Sequence, residues 1–85
     1  MKNEMNRATA SKIATGLIEG GIRSHHTNKC VAEQCATTVE CVKEVKRYLL
    51  KHATDGNGKL NFESLCSYAD AIENGWADEE LNLTK

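Results

Sequence analysis

The sequence predicts a small all-α domain: three helices, a long central one, and a short acidic C-terminal segment. Three observations predict it. The 85 residues contain no proline. Apolar residues recur at spacings of three and four, not two. Gly-Gly, Asp-Gly-Asn-Gly and Asn-Gly sequences divide the chain into separate runs. One domain over residues 1–85 is expected at this length, and 40 % hydrophobic with 27 % charged residues is ordinary globular composition.

The first helix is expected over residues 5–20, where Ala10, Ile13, Ala14, Leu17 and Ile18 form one apolar stripe. Gly20 and Gly21 end it, because glycine accepts the left-handed cap conformation. Residues 22–27, with Ser24, His25 and His26, read as a polar connection. The central helix is expected from a cap at Thr27 or Asn28 to about Ala53. Within it Val31, Cys35, Thr38, Val42, Val45, Leu49 and His52 alternate spacings of four and three, the pattern of a heptad seam. Val39 and Tyr48 widen this face, and Lys29, Glu33, Glu40, Lys43, Glu44 and Lys51 occupy the opposite one. Glu40 and Glu44 stand close enough before Lys43, Lys46 and Arg47 to support the helix.

Residues 54–59 read as a turn. Asn61 is placed to cap the third helix, with Leu60 and Leu65 forming a hydrophobic staple across the cap. Phe62, Leu65, Cys66, Ala69 and Ile72 make its stripe, and Asn74-Gly75 stops it. A further turn of helix is expected at residues 77–81. The predicted core is Ile13, Leu17, Val31, Val42, Val45, Leu49, Leu65 and Ile72. Twenty-one large apolar side chains are a thin supply for a single core, a shortage that an oligomer or a partner would relieve.

Residues 53–65 read Ala-Thr-Asp-Gly-Asn-Gly-Lys-Leu-Asn-Phe-Glu-Ser-Leu. With their flanking helices, over roughly 45–72, they resemble a degenerate EF-hand. With Gly58 at the sixth loop position, Asp55 falls third, Asn57 fifth, Lys59 seventh (through its carbonyl), Leu60 eighth and Asn61 ninth. The resemblance implies calcium as the one cofactor, held by Asp55, Asn57, Lys59 and Asn61. Ala53 at the first position and Ser64 at the twelfth lack the expected carboxylates, and no second such loop occurs in the chain. A plain turn joining two helices explains the same residues.

Four cysteines, Cys30, Cys35, Cys41 and Cys66, are expected as free thiols, since no signal peptide precedes them. For zinc, one helix cannot gather Cys30, Cys35 and Cys41 around one ion, and His25 and His26 with Cys30 would need a ligand from another segment. A thiol nucleophile would need a base in contact, for which Cys66 with His52 is the available pair. No phosphate-binding loop, Ser-His-Asp set or dinucleotide fingerprint occurs, so the chain reads as a non-enzyme.

Net charge is −1, but residues 1–52 hold nine Lys/Arg against five Asp/Glu, and residues 53–85 hold two against seven. This split can pair the halves within one molecule, pair neighbours head to tail, or decorate solvated faces. Lys43, Lys46, Arg47 and Lys51 form a basic patch that a nucleic-acid binder would use, although the acidic C-terminal third opposes phosphate attraction. No apolar run approaches the ~20 residues of a membrane span. The sequence therefore predicts a non-catalytic, cytoplasmic binding or regulatory protein that acts through helix-mediated protein–protein contacts and self-associates. Its expected partner is a protein and not a membrane; a calcium-binding module and a weak nucleic-acid-binding helical protein are the alternatives. Cys35, Thr38, Val42, Val45 and Leu49 on the seam would carry the contact, unless the seam packs inside the molecule. Trp76 is the second anchor, as core lid or as interface residue.

Overall fold

A computed structural model describes residues 5–83 and, at His25, the backbone alone. Its four helices are α1 (Arg7–Gly20), α2 (His25–Gln34), α3 (Val39–Ala53) and α4 (Phe62–Glu73). The inner pair, α1 and α3, touch each other and both flanking helices, while α2 and α4 lie apart on opposite sides.

Each helix begins where an oxygen-bearing residue precedes an apolar stripe. Asn6 caps α1 by accepting from the Thr9 N–H at 2.8 Å, and Asn61 caps α4 by accepting from the Ser64 N–H at 3.0 Å. The staple forms as expected, with Leu65 buried and Leu60 packed against the core.

The long central helix does not form. It divides at residues 35–38, so the all-α class holds but there are four helices, not three. The Ala36 N–H bonds the Glu33 carbonyl and the Thr37 N–H bonds the Ala32 carbonyl, with Ala36 left-handed at φ 52°. This is a Schellman stop, here without its usual glycine. Thr38 then starts α3, its hydroxyl accepting from the Cys41 N–H at 3.3 Å. Two adjacent threonines weaken a continuous helix, and the second is worth more as a cap. Thr27 and Asn28 are not caps either. Ser24 stands at the N-cap of α2, and the Thr27 hydroxyl instead donates to the Gly20 carbonyl at 2.8 Å, tying α2 to the end of α1.

With the helix broken, both halves turn inward. All eight predicted core residues are buried, joined by Met5, Ala10, Ala14, Ile22, Ala32, Cys41, Tyr48, Ala53, Ala77 and Leu81. Gly16 lets α2 close on α1, since a Cβ there would meet Val31 at 3.1 Å. After α4, Gly75 at φ 87° closes a second Schellman stop and Asn82 at φ 52° a third. Between them lies the expected helical turn, Leu81 N–H to Ala77 carbonyl, 3.0 Å. Arg7 clasps this segment through Asp78 at 2.6 Å.

Two stability changes follow from the left-handed positions. Ala36→Gly removes the Cβ strain and is expected to stabilise the protein by about 0.5–1 kcal/mol in chemical denaturation. Gly75→Ala places a methyl at positive φ against the Arg7 guanidinium and is expected to destabilise by about 1–3 kcal/mol.

Candidate functional site

The residues singled out in the sequence separate into three places. The first is the seam. Val42, Val45 and Leu49 are completely buried between α3 and its neighbours, so they form the core and not an intermolecular contact. Cys35 is half-buried at the end of α2, and Thr38 is the cap of α3. The interface expected along the seam is thereby corrected, because the break at Ala36 lets the molecule consume its own apolar face. Trp76, in contrast, is 78 % exposed and is no lid on the core. Phe62, at the other end of α4, is 64 % exposed.

The second place is the turn between α3 and α4. Asp55, Asn57, Lys59 and Asn61 are all exposed there. An isolated bridge between Thr54 and Leu60 pinches the turn, and Gly58 takes φ 80°. One Asp55 carboxylate oxygen accepts from the Asn57 and Lys59 N–H groups, each at 2.9 Å. The Asn61 oxygen is engaged as the α4 cap. Both oxygens thus hold the backbone in its turn. Arg23, between α1 and α2, donates to the Gly58 carbonyl at 3.2 Å and joins the two turns. Among the described residues, no three His, Cys, Asp or Glu side chains converge as metal ligands.

The third place is the basic patch, and here the fold does gather the predicted residues. Lys43, Lys46, Arg47 and Lys51 line an open groove of about 820 Å³ with Asn28, Leu50 and Thr54. Helical spacing puts the four cations on one side of α3, and Leu50 between them supplies an apolar floor. Lys46 reaches Asn28 of α2 at 3.5 Å, which fixes one wall. Lys51 at the far end lies 3.8 Å from Glu80. The helix-face pairs expected from Glu40 and Glu44 do not close. Among the described residues no carboxylate comes within ion-pair distance of Lys43, Lys46 or Arg47.

An aromatic cluster fills the opposite side of α3, where α4 packs. His52 stacks on Tyr68 at 4.7 Å, and both meet Tyr48 edge-on. The His52 Nε2 faces the Glu80 carboxylate at 3.0 Å. Burial, then the Glu80 charge and the neighbouring Tyr68, push the Tyr48 hydroxyl pKa up. The Glu80 contact spans 28 positions, beyond the range of any local pattern of residues.

Comparison of the chain with protein-family models, curated proteins and solved structures finds no match. The geometry alone carries the functional reading.

The four cysteines are unpaired: Cys30 exposed, Cys35 and Cys66 half-buried, Cys41 buried. Burial raises the Cys35 pKa, partly offset by the positive charge of Lys12, and so disfavours its reactive thiolate. Alkylation at neutral pH, followed by mass spectrometry, is expected to modify Cys30 first, Cys35 more slowly and Cys41 last.

Proposed function

We propose that the chain is a non-catalytic binding protein whose α3 groove docks an acidic helical segment of a protein partner. The observation that carries this reading is the cluster of Lys43, Lys46, Arg47 and Lys51 around the Leu50 floor. Charged walls over an apolar floor suit an amphipathic helix that presents carboxylates beside aliphatic side chains. They suit a nucleic acid less well. No lining residue is aromatic, so there is no platform for base stacking. Contact through one face of α3 keeps helix-mediated protein binding as the mode of action and moves it from the buried seam to the solvent side.

The test is titration of the protein with a labelled helical peptide carrying glutamates on one face and leucines on the other. Binding is expected to weaken as salt rises, and to fall at least about tenfold in the Lys46→Glu, Arg47→Glu double variant. Equal binding of a lysine-for-glutamate peptide, or preference for duplex or single-stranded DNA, would overturn the reading.

A further inference from the structure

We infer that the partner of the α3 groove is a second copy of this chain, which docks the exposed face of its own α4 there. The inference rests on the groove reading above and names its occupant. On α4, Glu63, Asp70 and Glu73 are exposed, and their spacing of seven and three residues puts them on one side of the helix. Among the described residues none of the three has an ion-pair partner. Phe62 and Trp76, the two large hydrophobic side chains exposed among the described residues, bracket this acidic strip. The face thus has carboxylates for the lysines and arginine of the groove, and aromatic rings for its apolar floor and cationic walls.

The lengths agree. Lys43 to the end of α3 at Ala53 covers ten helical steps and Phe62 to Glu73 along α4 eleven, about 15 and 16 Å. A single molecule cannot satisfy the match internally. The groove lies on the side of α3 that borders Asn28 of α2, whereas α4 packs against α1 and α3 and does not touch α2. The contact is therefore between different surfaces of two copies, and it propagates head to tail unless the rotation closes a ring.

The test uses light scattering and sedimentation on the full chain with two charge-reversed variants. One carries Lys46→Glu and Arg47→Glu in the groove, the other Asp70→Lys and Glu73→Lys on α4. The unaltered protein is expected to gain mass with concentration at low ionic strength and to return to single-chain mass in high salt. Each variant alone is expected to stay a single chain. Their equimolar mixture restores the original contact in one direction and a charge-swapped one in the other, and is expected to regain the mass that each variant alone loses. The emission of Trp76, the only tryptophan, should shift to the blue on association and reports the face directly. If a double variant fails to fold, Arg47→Ala and Glu73→Ala replace it, each expected to weaken association severalfold. Single-chain mass of the unaltered protein at every concentration, with glutamate-peptide binding intact, would overturn the second-copy inference and leave the groove reading standing. Loss of peptide binding as well would remove both. Association that survives high salt, or a mixture of variants that stays at single-chain mass while the unaltered protein associates, would point to another surface and also overturn it.

Discussion

Between Cys35 and Thr38 the backbone leaves α2 through a left-handed alanine and enters α3 through a threonine cap. This reversal takes four residues and satisfies helix-end groups on both sides of the break. Its consequence is positional. One rod from residue 28 to 53 would hold Val31 and Leu49 about 27 Å apart, beyond the reach of a single small core. Broken, the rod becomes two helices that both pack on α1, and Val31, Val42, Val45 and Leu49 join the same buried cluster. The solvent side of α3 is then free to present its cations beside Asn28 of α2. The core and the groove thus depend on the same turn.

The interior achieves closure with modest means. Several buried residues are alanines, and of the four aromatic Phe, Trp and Tyr side chains Tyr48 alone is buried. Tyr48 and Tyr68 hold His52 at the edge of the bundle, where Glu80 meets its ring nitrogen. The segment after α4 finishes the core by inserting Ala77 and Leu81, and charged contacts hold it at both ends: Asp78 on Arg7, Glu80 on Lys51 and His52. Among the described residues no helix is long and apolar enough to cross a membrane. Among the described residues the exposed large hydrophobic side chains are Phe62 and Trp76.

Much of this was legible in the residues. Apolar spacing located every core position that was named, and the Asn61 cap, the Leu60–Leu65 staple and the Asn74-Gly75 stop fell where turn chemistry puts them. The break at Ala36 was not legible, because its left-handed residue is alanine and the heptad pattern runs through it without a gap. Periodicity reports which face is apolar, and both α2 and α3 obey it. It does not report whether one axis or two carries the face. The same blindness turned the seam into an expected interface. The basic patch was visible as a run of lysines and arginine on one side of a helix. That it borders a concave surface depends on Asn28, eighteen positions before Lys46, which only the fold brings near. The exposure of Trp76 could not be settled either, since a residue after a glycine stop can turn inward or outward with equal local cost.

The clasp between Arg7 and Asp78 joins positions 71 apart in the chain, while α1–α2 and α3–α4 are each joined by short turns. Turn-linked helix pairs close over short loops, whereas the clasp must wait for the longest loop in the molecule. Its pairing is solvent-exposed, so it adds little to hold the end of the chain once formed. The segment after α4 is held by two small buried contacts, Ala77 and Leu81, and by surface charges. In hydrogen exchange it would behave as a separate, weakly protected unit that swings Trp76 with it while the four helices remain closed.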